Sequence, residues 1–190
     1  MNIQIVRTMA RFGTFSPILG GIMILISVSM TPEWSPSQPL SDLGSAGIGS
    51  VIFNNGLLMS GALAMLFAAG LFEFTKGDTI GQVGSAAFLL YGIAICGIGV
   101  VIIDLGAIHD QFATILFLMI PTSSALISYN LYKRSLMRYA ALGAVSLILG
   151  VVPWVLGGKI DAVKELVALI PFSIWQIALG VYMYRLEDSF

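Results

Sequence analysis

The chain has 190 residues, of which 57% are hydrophobic and only 10% are charged, and its formal net charge is -1. Soluble domains carry about 25% charged residues, so this composition indicates a protein that is solvated mainly by lipid. It excludes the basic surface on which nucleic-acid binding depends, and the length predicts one membrane domain over residues 1–190.

Six apolar segments are each long enough to cross a hydrocarbon core of about 30 Å as an α-helix. Their predicted bounds are about 14–31, 51–72, 82–103, 112–132, 138–157 and 165–184. The first resembles a signal peptide because Arg7 and Arg11 precede it, and we predict that it is a retained helix. Prolines within the segments predict kinks. The sequence therefore predicts an all-α polytopic membrane protein, a bundle of six transmembrane helices.

Lys and Arg are distributed unevenly between the two ends of these segments. Seven of the nine lie at the end that contains the amino terminus: Arg7, Arg11, Lys76, Lys133, Arg134, Arg138 and Arg185. Lys159 and Lys164 lie at the opposite end. Because positive charge is retained on the cytoplasmic side, this pattern predicts a multi-pass protein of the cell membrane with both termini in the cytoplasm.

Glycine is frequent within the predicted spans, where small residues let helix backbones approach closely. Gly61 and Gly97 are predicted to lie at such helix contacts. Packing within the bundle is the expected use of these residues. A homo-oligomer or a partner membrane subunit is the alternative.

The predicted topology brings polar side chains together at the outer ends of the helices. The connection 31–50 is rich in Pro, Ser and Gly, and is predicted to be a loop. The start of the second segment, the end of the third and the start of the fourth lie at the same surface. The resulting outer cluster contains Glu33, Ser35, Ser41, Asp42, Asn54, Asn55, Asp104, His109 and Asp110.

Two motifs and the histidine of this cluster resemble a known family. The motifs are PLSDLG at 39–44 and FNNGLLMSG at 53–61, and His109 follows them. They are similar to a prokaryotic membrane family catalogued as domain of unknown function 998. The resemblance implies about six helices, an LSDLG-like loop, an FN-x-G helix start and a histidine that opens a later helix. It implies no established activity.

His109, Asp42 and Ser41 are the candidate catalytic residues of the outer cluster. His109 is the only histidine, and histidine is the residue type that acts most often as general acid and base. Asp42 would orient the substrate or an ion, and a Ser–His–Asp triad with Ser41 would require a tertiary contact. The residues predicted to contact the ligand are Asn54, Asn55, Asp104, Asp110 and Trp34.

Each candidate also has a structural interpretation that the sequence leaves open. Ser41 and Asp42 precede a glycine and suit a turn or a helix N-cap. Asn54 suits a hydrogen bond to a neighbouring helix. A histidine at a membrane interface is commonly an ordinary polar residue.

We predict no cofactor. One histidine and one cysteine, His109 and Cys96, are too few for a usual zinc site or for haem held by two histidines. The identity of any metal stays open, because carboxylates such as Asp42, Asp104 and Asp110 suit a hard divalent ion. The predicted spans also lack a charged residue near mid-bilayer, which disfavours an ion-coupled transporter.

Two classes of function are compatible with these observations. The first is a protein whose outer-leaflet site binds or processes a lipid or lipid-linked head group, with membrane lipids as its partners. The alternative is a non-catalytic membrane subunit of a larger complex, or a small transporter. The residues do not decide whether the protein is an enzyme.

Overall fold

The computed structural model describes residues 1–157 and 160–187. Its helices are α1 (Ile3–Ser29), α2 (Gly47–Phe74), α3 (Thr79–Val100), α4 (Ala107–Lys133), α5 (Met137–Gly150), α6 (Val152–Val155) and α7 (Ala162–Tyr184). Short 3-10 helices lie at Leu40–Gly44 and Ile103–Leu105. Six helical segments of the described chain are long and apolar enough to cross a membrane, with α5 and α6 together forming one of them. The predicted six-helix fold is confirmed.

Helix bounds differ from the predicted ones where polar residues extend a helix beyond its apolar part. α1 begins at Ile3 instead of about 14, because Asn2 caps it by accepting hydrogen bonds from the backbone N–H groups of Gln4 and Ile5. The fifth span is interrupted at Val151, and Pro153 lies in the one-turn helix α6 that follows. Lys159, which was counted in the charge pattern, lies outside the described residues.

The six spans form a closed ring. Each packs against the next in chain order, and α7 returns to contact both α5 and α1. Aromatic side chains fill the centre: the Phe172 ring lies 5.5 Å from that of Phe88, 4.7 Å from that of Tyr91 and 5.5 Å from that of Trp175, between ring centroids. This buried cluster occupies the middle of the ring. The half of the ring on the side of residues 31–50, which we call the outer half after the predicted orientation, is closed by other residues.

Glycine allows the close approach of α2 to α3. A Cβ atom at Gly61 would lie 2.7 Å from the carbonyl oxygen of Gly92 and 2.8 Å from the backbone nitrogen of Cys96. A Cβ at Gly97 would overlap the ring of Phe112. Both glycines therefore lie at helix contacts, where a larger side chain has no room.

The connection between α1 and α2 folds over the outer end of the ring. Its Leu40 and Leu43 are buried against Phe53 of α2 and Ala162 of α7. The backbone N–H of Ala162 donates to the carbonyl oxygen of Gln38 at 2.9 Å. The 3-10 helix Leu40–Gly44 is thus held against α7 and forms a roof over the outer half of the bundle.

An ion pair closes the opposite, inner end of the bundle. Asp78 caps α3 by accepting a hydrogen bond from the Gly81 N–H at 2.8 Å, and its other oxygen is paired with the Lys133 ammonium at the end of α4. The pKa of Asp78 is lowered from its ordinary 3.8 to about 2. The largest cause is the hydrogen bond with Lys133, and the next is the hydrogen bond from the Gly81 N–H. Ionised Asp78 therefore joins α3 to α4.

This ion pair predicts a specific loss of stability in acid. Because the folded-state pKa of Asp78 lies below its unfolded value, its contribution is present above pH 3.8 and is lost as the pH falls through about 2. We expect Asp78→Asn to remove that part of the acid dependence. Melting temperatures of the purified protein between about pH 5 and pH 2 measure it. Asp104→Asn, at an exposed carboxylate, is the control and should keep the wild-type curve. Parallel curves for wild type and Asp78→Asn would contradict the prediction.

Candidate functional site

Two adjoining cavities lie beneath the roof, in the outer half of the bundle. Their volumes are about 290 Å³ and 300 Å³. Both are lined by Ser41, His109, Ala113, Phe117 and Glu165. The shared wall therefore carries three polar side chains. The rest of the first cavity is mostly apolar, apart from Ser60, Tyr91 and Ser173.

His109 lies in the first turn of α4 and is buried, with 3% of its surface exposed. Its Nδ1 is 2.6 Å from the carbonyl oxygen of Val101, at the end of α3. Because a carbonyl oxygen can only accept, Nδ1 carries the proton, and in the neutral ring Nε2 carries the lone pair. Among the described residues Nε2 has no hydrogen-bond partner. His109 therefore offers the cavities an acceptor of fixed orientation.

Glu165 lies in the first turn of α7 and is also buried, with 7% of its surface exposed. Its Oε2 accepts a hydrogen bond from the Leu40 N–H at 2.6 Å. The amino-terminal end of a helix favours negative charge, whereas burial disfavours an unpaired carboxylate. Within the described chain Oε1 has no partner. Glu165 thus holds the roof with one oxygen and leaves the other available at the cavity wall.

Ser41 comes from the roof itself. The 3-10 helix places Ser41 on the wall of both cavities, and its hydroxyl has no hydrogen-bond partner in the part of the chain that the structure describes. A hydroxyl both donates and accepts. Ser41, His109 and Glu165 together form the polar end, and they provide two acceptors and one group that serves either role.

The first cavity continues inward from the polar end as an apolar shaft. Along α7 its lining runs from Glu165 to Ile177, a rise of about 18 Å at about 1.5 Å per residue. Other side chains of the shaft are Ile24, Leu57, Ile95, Leu116 and Leu169. Since half of a hydrocarbon core is about 15 Å thick, the shaft and the polar end together extend across about one leaflet.

The shaft reaches the lipid-facing surface between α1 and α7. Ile170 and Ile174 line it while each is 53% exposed. On α1, a Cβ at Gly21 would meet no atom within 4 Å. Further inward the two helices touch, because a Cβ at Gly180 would lie 2.9 Å from the carbonyl oxygen of Ala10. The helices are therefore close at the inner end and separated at the outer end, which leaves a lateral opening.

Several residues of the predicted site do not line either cavity. Asp42 accepts a hydrogen bond from Gln38 within the roof, and Asn54 donates to the carbonyl oxygen of Gly44 at 3.0 Å. Trp34 donates to the carbonyl oxygen of Pro39 at 3.1 Å and packs beside Leu40. These three side chains make hydrogen bonds within the α1–α2 connection or between it and α2. Asp42 does not cap a helix, whereas Asn54 bonds a neighbouring 3-10 helix.

The remaining predicted ligand contacts lie at the surface. Asn55 is exposed and bonds the carbonyl oxygen of Val51 within its own helix, and Asp104 is exposed on the 3-10 helix Ile103–Leu105. Asp110 is exposed but lines the second cavity. Among the described residues, no three His, Cys, Asp or Glu side chains are grouped to hold a metal ion. Asp42, Asp104 and Asp110 therefore do not form the ion site that the sequence left open.

The geometry also differs from that of a catalytic triad. In a triad, a carboxylate accepts a hydrogen bond from one ring nitrogen of the histidine and orients the ring. In His109, Nδ1 is bonded to the Val101 carbonyl oxygen instead. Ser41 and His109 share a cavity wall, but no hydrogen bond joins them. The arrangement is suited to holding a polar group at several points.

The sequence analysis did not include Glu165 in the site. As an acidic residue near the start of a helix, it has an ordinary explanation in the helix dipole. Its partner Leu40 is 125 residues away in the chain. The available signal was the order of the spans: with six spans, the start of α7 is at the same end of the bundle as the starts of α2 and α4.

These features define a six-span helical membrane protein with a laterally open cavity in one half of the bundle. Residues 16–182 match the model of a family described as a protein of unknown function, DUF998. The match reaches from α1 into α7, so the chain belongs to the DUF998 family, and the resemblance predicted from the sequence is confirmed. No curated protein and no solved structure matches the chain.

The two motifs that carried the resemblance are in contact in the fold. The LSDLG motif forms the 3-10 helix of the roof, and Asn54 of the second motif donates to its Gly44. Phe53 packs beneath Leu40 and Leu43. The motifs therefore build the roof, while Ser41 and His109 contribute to the cavity wall.

Proposed function

We propose that this protein binds a lipid or a lipid-linked molecule in the cavity, with the head group at the polar end and a chain in the apolar shaft. One observation carries the proposal: a single cavity joins three polar side chains to an apolar shaft about one leaflet deep that opens toward lipid. A chain lying there would be removed from water along its whole length. The head group would meet Ser41, His109 and Glu165.

We further propose that the polar end lies in the outer leaflet of the cell membrane. The charge pattern supports this orientation, because Arg7, Arg11, Lys76 and Lys133 lie at the end of the bundle opposite the roof. The ligand then enters through the opening between α1 and α7 without leaving the bilayer.

Filling the shaft tests this proposal. Gly21 lines the cavity and a side chain added there has room, so Gly21→Trp should close the opening while leaving the fold intact. We expect the purified variant to lose most of the lipid that wild type retains through detergent washing, as measured by mass spectrometry of extracts. Ile22→Trp adds a similar side chain one residue away, at a half-exposed position outside the cavity, and should retain the lipid.

The melting temperature of each variant shows whether it is folded. Equal lipid retention by folded Gly21→Trp and Ile22→Trp would mean that the cavity is not the binding site. That result would overturn the proposal.

A further inference from the structure

The described residues of the two cavity walls include acidic side chains but no basic ones. Among the described residues, no Lys or Arg lines either cavity, whereas Glu165 lines both and Asp110 lines the second. A phosphate or carboxylate placed at the polar end would be close to these carboxylates without a cation to offset the repulsion. The charge of the site therefore disfavours an anionic head group.

The unpartnered atoms at the polar end indicate what would be favoured instead. Glu165 Oε1 and His109 Nε2 are acceptors on side chains that are more than nine-tenths buried. Both residues line the cavities, and an acceptor that has no donor in a mostly apolar cavity is costly, a carboxylate more so. A hydroxyl or an ammonium group of a ligand would supply the missing hydrogen bonds, and Ser41 can complement either.

The shape of the first cavity restricts the hydrophobic part. One shaft runs inward from the polar end, and its volume of about 290 Å³ is at the small end of ligand sites. The opening at Gly21 leads to the same shaft. The first cavity, which is the one that opens at Gly21, therefore suits one chain rather than a pair.

We propose that the ligand is a single-chain amphiphile whose head group donates hydrogen bonds through hydroxyl or ammonium groups and carries no net negative charge. This inference rests on the proposed function and specifies its ligand class. The head group contacts Glu165 and His109 beneath the roof, and the chain lies between α1 and α7.

Three single-chain probes with similar chains separate the head-group classes: monooleoylglycerol (uncharged hydroxyls), sphingosine (ammonium and hydroxyls) and oleoyl lysophosphatidic acid (phosphate). Each is added to the full-length protein in phosphatidylcholine nanodiscs, and binding is followed by native mass spectrometry and by the melting temperature. We expect saturable binding of monooleoylglycerol or sphingosine, abolished by Gly21→Trp and kept by Ile22→Trp. Lysophosphatidic acid should not bind in the cavity.

A charge-neutral variant of Glu165 tests whether its carboxylate recognises the ammonium group of the ligand. Glu165→Gln retains the size of the side chain and an oxygen for the Leu40 N–H. If sphingosine binds, this variant should weaken it about tenfold or more, because a buried ion pair is lost, while monooleoylglycerol changes by less than about threefold. Asp104→Asn removes an exposed carboxylate outside both cavities, so it should change the binding of neither sphingosine nor monooleoylglycerol.

The possible failures are distinguishable. Lysophosphatidic acid binding that Gly21→Trp abolishes would leave the lipid cavity in place and overturn the head-group class. Sphingosine binding that is insensitive to Glu165→Gln would overturn it as well. If none of the three probes binds, the inferred ligand class is wrong. If a probe binds but Gly21→Trp does not affect its binding, the inference is also wrong, and the result contradicts the proposed binding of lipid in the cavity.

Discussion

Gly61→Leu should destabilise the bundle by about 1–3 kcal/mol, the usual cost of overpacking, or prevent folding. The contact of α2 with α3 leaves no space for a Cβ at this position, because two backbone atoms and the Cys96 sulfur lie within 2.6–2.8 Å of where it would be. In a bilayer, where apolar burial gives little drive for association, close helix packing is a main source of stability. Unfolding in increasing sodium dodecyl sulfate measures the change.

Ala62→Leu is the matched control. It enlarges the next residue of the same helix, at an exposed position that faces lipid. We expect its unfolding curve to match that of wild type. If both variants unfold like wild type, Gly61 does not lie at a close contact between α2 and α3.

Cysteine labelling should give an all-or-none result for the orientation. Ser37 is exposed in the connection between α1 and α2, just before the roof. Lys76 is exposed at the opposite end of the bundle. In a Cys96→Ala background, an impermeant maleimide added to intact cells should modify Ser37→Cys almost completely and leave Lys76→Cys unmodified, because only the first lies outside. Lys76 is preferred to the adjacent Gly77, whose φ of +87° would strain a cysteine.

Permeabilised cells provide the control, since both cysteines should then react. Labelling of Lys76→Cys but not of Ser37→Cys in intact cells would reverse the topology. The polar end of the cavity would then lie in the cytoplasmic leaflet.

The membrane fold could be predicted because it depends on the length and hydropathy of each segment by itself. A helix that crosses lipid needs about 20 apolar residues and satisfies its own backbone, so segment length and hydropathy suffice. The exact helix ends follow from local contacts instead. The early start of α1 depends on the Asn2 cap, and the break at Val151 precedes the turn that contains Pro153.

The candidate site could be predicted only in part. Topology was enough to bring Ser41 and His109 to one surface, and the structure places both on the same cavity wall. The predicted topology could not show that two neighbours in one short helix have different roles. Ser41 lines the cavity wall, whereas Asp42 is bonded to Gln38. That difference depends on how the roof packs against α7, through contacts between residues that are far apart in the chain.

The closure of the ring has a consequence for how the molecule is made. α1 and α7 are neighbours without being consecutive in the chain, so the two walls of the opening are synthesised with four other spans between them. The cavity does not exist until α7 has inserted, and a chain that stops before it would have a half-built site.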